Sequence, residues 1–296
     1  MLTKLVEIKT THSKVADYAA LMKLRLASLV VYSAILGYLL APGPFLWMEI
    51  LYLTAGGFLV TGSSNALNQI VEKDLDVKMK RTQNRPLPRE AITVTEAFVA
   101  ALITGVVGIT FLWQLNFFSA MLGLLALIMY AAVYTPLKTR TPLAVFVGAF
   151  PGSVPPMLGY VAATSKFGLE PGLLFAVQFF WQFPHFWAIA WKLYDDYIAG
   201  GFRLLPSLGG RDKRSAFIIM TYTALVIPVG MLPWAFDMLT AFSASVAVVL
   251  GVLFLIPAVK LYTTQEMKYA TQLMFFSFVY LPIIQLIFVL DRVFFM

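Results

Sequence analysis

The stretch "NQIVEKDLDVKMKRTQNRPLP", residues 68–88, decides how this chain is read. It closes an apolar run that begins near residue 47. Within fourteen positions it sets three carboxylates (Glu72, Asp74, Asp76) among five bases (Lys73, Lys78, Lys80, Arg81, Arg85). Anchoring a membrane helix at the water interface takes one or two basic residues. The stretch therefore reads as the end of a membrane span that also handles charge.

The rest of the chain supports the membrane half of that reading. Of 296 residues, 60% are hydrophobic and 12% are charged, against about 25% charged in an average soluble domain. A span needs roughly 20 apolar residues. Nine such runs are predicted, near 25–42, 47–71, 94–114, 118–135, 142–163, 171–192, 215–236, 240–261 and 271–290. The expected fold is all-α: a polytopic bundle of nine transmembrane helices around a cavity that opens to the cytoplasmic side. One domain is expected over residues 1–296, with residues 1–22 as a cytoplasmic N-terminal segment. Pro151, Pro155 and Pro156 interrupt the fifth run, so that helix should lie against protein or a cavity and not against lipid.

Charge placement gives the orientation. Nine spans distribute the connections over two sides. Twenty of the 22 Lys and Arg residues fall on the side of the N-terminus, and only Lys166 and Arg292 fall on the other. By the positive-inside rule the N-terminus is cytoplasmic and the C-terminus outside. The formal charge of +7 is thereby explained by topology, and nucleic acid is not an expected partner. No cleavable signal or transit peptide is expected, since Glu7 and Asp17 precede the first apolar run. The absence of cysteine excludes disulfides, thiolate metal sites and thiol catalysis. Two histidines, His12 and His185, are too few for a poly-histidine metal site.

Two spans carry polar stripes. A helix advances about 100° per residue. With Asn68 at zero, Thr61, Asn65, Glu72 and Asp76 fall at about 20°, 60°, 40° and 80°, while Asp74 falls on another face. On the sixth span, with Gln178 at zero, Gln182, His185, Lys192 and Asp196 fall at about 40°, −20°, −40° and 0°; Asp195 lies about 100° away. Taken singly, each stripe has a bland reading: interhelical hydrogen bonds for the asparagines, a solvated helix end for Asp195 and Asp196. Taken together, they converge several carboxylates on one membrane face. Mg²⁺ takes such oxygen ligands and commonly shares them with substrate phosphates. Lys78, Lys80, Arg81, Arg85, Lys138, Arg140 and Arg203 suit the remaining phosphate oxygens. Acids for metal beside bases for phosphate suggest a diphosphate site beneath an apolar, aromatic-rich chamber, which fits an isoprenyl diphosphate.

At this point the motifs resemble a known family. Asn68, Glu72 and Asp76 stand at the places of the N-x-x-x-D-x-x-x-D motif of the intramembrane prenyltransferases, the UbiA superfamily. The continuation "MKRTQNRPLP", the middle segment "YTPLKTRTPLAVFVGAFPGSVPPML" and "FWQFPHFWAIAWKLYDDYIAGGFRLLPSLGG" resemble the heme O synthase branch, the protoheme IX farnesyltransferases. The resemblance covers about residues 20–290. It implies nine transmembrane helices, Mg²⁺, farnesyl diphosphate as donor and protoheme IX (heme B) as acceptor, giving heme O and diphosphate. By position it implies that Asn68, Glu72, Asp76, Asp195 and Asp196 serve the metal–diphosphate site, with Glu72, Asp76 and Asp196 on metal. It further implies that Lys78, Arg81, Arg85 and Lys138 hold diphosphate, and that His185 is the candidate heme contact. A bacterial inner membrane and a handover to a heme A synthase are implied at the same level. Glu72 departs from the superfamily's Asp, the second motif is Asp195-Asp196-Tyr197 without D-x-x-x-D spacing, and Ala144 stands where Asn is expected; which acid touches metal stays open. The alternatives are a prenyltransferase for a quinone precursor or chlorophyllide, and, in a different class, a cation or phosphate transporter.

Overall fold

A computed structural model describes residues 13–295. His12 and most of the expected N-terminal segment lie outside the described residues. Fourteen helical segments follow in chain order: α1 Lys14–Met22, α2 Leu24–Leu40, α3 Trp47–Asp76, α4 Val94–Leu115, α5 Phe117–Ile128, a π-helical segment Met129–Tyr134, α6 Thr135–Leu137, α7 Ala144–Thr164, α8 Leu169–Lys192, α9 Tyr194–Ala199, α10 Lys213–Gly230, α11 Leu232–Ala235, α12 Ala241–Thr264 and α13 Met267–Phe295. The described residues contain no strand.

Each expected span has a helix. Seven are long and apolar enough to cross a membrane, counting α5 through α6 and α10 through α11 as one each. An eighth is the bent pair α1–α2, which turns by 46°. The ninth, α3, has 30 residues and so has the length; its polar stripe keeps it out of the apolar set. This multi-pass membrane protein closes into a ring, with contacts running α2–α3–α4–α5–α7–α8–α10–α12–α13 and back to α2. Further contacts of α2 with α7 and of α8 with α13 pass through the middle.

The α2–α7 crossing shows how close the packing is. A Cβ at Gly37 would run into the Pro156 carbonyl, and one at Gly159 into the Ala34 carbonyl. Small residues permit this approach where no water drives helices together. Helix α7 runs unbroken through Pro151, Pro155 and Pro156. It is the most protein-buried of the apolar spans, 67% against 22% for α4, as its prolines led one to expect. Thr135 closes the π-helical segment: its amide and its hydroxyl both donate to the Tyr130 carbonyl, the hydroxyl at 2.8 Å. Pro136 comes next and has no amide hydrogen to donate. The widened turn swings Tyr130, Tyr134 and Lys138 toward the end of α3.

Candidate active site

At the charged end of α3 lies an open-mouthed cavity of about 140 Å³. Helix α3 contributes Asn68, Glu72 and Asp76, and the loop after it Met79, Arg81 and Arg85. Tyr130, Tyr134 and Lys138 come from the π segment and its continuation, Phe186 from α8, and Tyr197, Phe202 and Leu204 from α9 and the loop beyond. Most of the first polar stripe thus lines one wall, and Asp74 is turned out to solvent as its angle predicted. Asn65 has another use: its amide donates to the Met22 carbonyl at 3.3 Å, at the end of α1.

Each cavity carboxylate is matched by one cation. Lys138 Nζ lies 2.8 Å from Glu72 Oε1, and Arg85 Nη1 lies 2.6 Å from Asp76 Oδ2. Arg85 reaches Asp76 because the loop folds back, with the Thr82 hydroxyl donating to the Asp76 carbonyl at 2.9 Å. Asn68 donates to Thr135 Oγ1 at 3.1 Å, which ties α3 to the start of α6, just after the π segment. The ammonium of Lys138 also sits 4.5 Å from the centre of the Tyr134 ring, and the Arg81 guanidinium 5.7 Å from that of Tyr197.

The second stripe is used differently. Helix α8 ends at Lys192, and Asp195 and Asp196 sit on the separate short helix α9. The expectation of one continuous stripe from Gln178 to Asp196 is therefore corrected: the backbone breaks at Leu193, with φ −100° and ψ 22°. Asp196 accepts from the Lys80 amide at 2.7 Å, which joins α9 to the loop after α3. Asp195 pairs with Arg211 at 2.9 Å and is 83% exposed in its side chain. Lys78, Arg140 and Arg203 are exposed and do not line the cavity. His185 faces α13, where its Nδ1 lies 2.8 Å from Ser277 Oγ and its ring stacks on Trp181 at 4.4 Å. Its neighbour Phe186 is the residue that reaches the cavity.

The donor set fits a hard cation. Asp76 Oδ1 and Asp196 Oδ2 are buried and have no hydrogen-bond partner. A buried carboxylate oxygen without a partner is costly unless a ligand completes it. Among the described residues no three acidic or histidine side chains are grouped as a ready-made metal cage. Mg²⁺ does not need one, since it is usually held by one or two carboxylates and completed by water and substrate phosphates.

Several cavity residues lay outside the sequence reading: Lys23, Tyr130, Tyr134, Tyr197 and Phe202. Lys23 stands at the α1–α2 break. It is half-buried there, facing the same cavity as Arg85 and Lys138. Nothing in the helical periodicity of α3 or α8 points to it.

Known proteins share this architecture. The chain is 47% identical to a protoheme IX farnesyltransferase of Cytophaga hutchinsonii over 286 residues, 95% of this chain and 99% of that protein. It is 47% identical to one from Flavobacterium psychrophilum, covering 93% and 94% of the two chains. In fold it resembles a digeranylgeranylglyceryl phosphate synthase, with a TM-score of 0.79 at 17% identity, covering 94% of this chain and 98% of that one. A UbiA homologue from Archaeoglobus fulgidus bound to GPP and Mg²⁺ has a TM-score of 0.66 at 14% identity, with 92% and 99% covered. The model of the UbiA prenyltransferase family matches residues 30–279. With that match across most of the chain, over a ring of helices closed around an acid-and-base cavity, this protein belongs to the UbiA prenyltransferase family.

Proposed function

We propose that the protein transfers the farnesyl group of farnesyl diphosphate to a vinyl group of protoheme IX, with addition of water, giving heme O and diphosphate. The observation that carries the acceptor is near full-length identity of 43–47% to four proteins, each named protoheme IX farnesyltransferase. The cavity supports the donor half, because its cations and the unpartnered Asp76 oxygen suit a metal-bound diphosphate; Asp196, with the other unpartnered oxygen, is outside the cavity lining. Family membership makes it a prenyltransferase and sets the transporter alternative aside.

In the resting site Glu72 and Asp76 hold Lys138 and Arg85, so each buried charge is compensated. Glu72, Asp76 and Asp196 are the proposed oxygen ligands of Mg²⁺, which when bound would supply positive charge to the diphosphate. Lys138, Arg85 and Arg81 then turn to the diphosphate oxygens, where negative charge grows as the C1–O bond breaks. Lys78 is the weakest of the proposed diphosphate contacts because it is exposed and does not line the cavity. The rings of Tyr130, Tyr134 and Phe186 line the same cavity, and such faces stabilise an allylic cation. They also keep bulk water from it. The vinyl π electrons form the new C–C bond to C1. The carbocation left beside the porphyrin takes water, and one proton leaves. No protein nucleophile is consumed.

His185 is proposed to contact heme. Its Nδ1 is oriented by Ser277, and its Nε2 makes no hydrogen bond among the described residues. An imidazole nitrogen so presented can ligate iron. The distribution of Lys and Arg supports a cytoplasmic N-terminus, and the bacterial relatives support the inner membrane. An apolar product is suited to handover within the bilayer to a heme A synthase.

The test is turnover in membranes supplied with protoheme, farnesyl diphosphate and Mg²⁺, with the hemes separated by mass. Heme O is expected from wild type, and none after chelation of divalent metal. Prenylation of a phenolic acid in place of protoheme would overturn the acceptor. For His185→Ala, the expected result is an altered Soret band and weaker protoheme binding, with inhibition by pyrophosphate unchanged.

A further inference from the structure

We propose that Lys23 is a diphosphate-holding residue, supplied to the cavity by the hinge between α1 and α2. The inference rests on the prenyl-diphosphate reading above and adds a residue to it. Four cations line the cavity (Lys23, Arg81, Arg85 and Lys138) against two carboxylates, Glu72 and Asp76. Lys138 and Arg85 are engaged by those acids at 2.8 and 2.6 Å, and Arg81 lies over the Tyr197 ring. Lys23 has no ion pair and no side-chain hydrogen bond among the described residues. Its side chain is half-buried, and an ammonium partly withdrawn from water without a partner is unfavourable until an anion joins it.

The hinge is built to hold that side chain in place. Lys23 adopts a left-handed backbone, φ 50° and ψ 57°, which ends α1 and starts α2. The last carbonyls of α1 would otherwise lack partners. Helix α3 supplies them: Gln69 donates to the Leu21 carbonyl at 2.7 Å, and Asn65 to the Met22 carbonyl at 3.3 Å. Helix α1 is further tied to the loop after α3 by the ion pair of buried Asp17 with Arg89. The helix that carries Glu72 and Asp76 thus also fixes the backbone beside Lys23. A carboxylate of the acceptor is the other anion that could meet this ammonium, and binding measurements separate the two.

The left-handed backbone provides a clean variant. Glycine adopts that conformation without the Cβ penalty, so Lys23→Gly removes the ammonium and relaxes the hinge. In the full chain in detergent or nanodiscs, Lys23→Gly is expected to melt no lower than wild type. Its affinity for inorganic pyrophosphate with Mg²⁺ should fall about tenfold or more, the scale of one charge-assisted hydrogen bond. KM for farnesyl diphosphate should rise in step, and Lys23→Arg should restore most of both. Unchanged pyrophosphate affinity in a folded Lys23→Gly protein overturns the proposal. So does a loss confined to protoheme binding, which would assign Lys23 to the acceptor. If wild type binds pyrophosphate in a Lys23-dependent way but makes no heme O, the proposal stands and the acceptor reading falls. If wild type binds no pyrophosphate, the diphosphate reading and the proposal fall together.

Discussion

Helices α3 and α8 carry polar stripes of the same periodicity, and the protein uses them in opposite ways. The stripe of α3 ends in buried ion pairs, Glu72 with Lys138 and Asp76 with Arg85, at the wall of an open cavity. The stripe of α8 starts, at Gln178, in neutral hydrogen bonds inside the bundle. Ser33 Oγ and Gln285 Nε2 each donate to Gln178 Oε1 at 2.8 Å, and Gln178 Nε2 donates to the Gly152 carbonyl at 2.6 Å. That network joins α2, α7, α8 and α13. A polar stripe on a membrane helix therefore says only that the face avoids lipid. Whether it binds a ligand or a neighbouring helix depends on what packs opposite.

The contrast can be broken first at its acidic end. Asp76→Asn and Asp196→Asn should each lower heme O formation by ~10²-fold or more, the scale of removing one preorganised polar group from a reacting centre. Asp195→Asn should stay within about twofold, because an exposed ion pair such as that with Arg211 contributes little. Equal losses for Asp195 and Asp196, in turnover assays of membranes with matched protein levels, would erase the distinction between them. Next in size is the pair at Lys138. Lys138→Met leaves Glu72 buried and alone, and breaking such a pair costs ~3–5 kcal/mol. A thermal melt should show that loss. The double variant Lys138→Met/Glu72→Gln should recover most of the stability and none of the turnover; recovery of turnover would make the pair structural. The smallest effect belongs to α8. Gln178→Leu should cost about 0.6–2 kcal/mol of stability, typical of an intramembrane hydrogen bond, with turnover per folded protein unchanged. A large drop in turnover without loss of stability would move α8's amides into the active site.

Much of the α3 site was legible because its chemistry is local in sequence. Asn68, Glu72 and Asp76 are four residues apart on one regular helix, so geometry places them on one face whatever surrounds them. Arg81 and Arg85 follow within nine residues. Asp196 was less legible. Its place on the stripe assumes a helix continuous with α8, whereas α8 stops at Lys192 and the backbone breaks at Leu193. It nonetheless reaches the loop after α3, through the Lys80 amide. Asp195 carries the same charge one residue earlier and is spent on Arg211.

What the sequence determined by itself was the class of molecule and the chemistry on offer: apolar runs of spanning length, charge gathered on one face, and oxygen ligands beside cations. These follow from hydrophobicity and helical periodicity, which act over a few residues. What only the tertiary structure decided was partnership. Lys138 meets Glu72 from 66 positions away, His185 turns toward Ser277 and not into the cavity, and Lys23 enters the site from a helix break that no periodicity marks. The physical reason is that a buried charge or amide must find a partner, and which partner it finds is set by the order in which the helices close the ring.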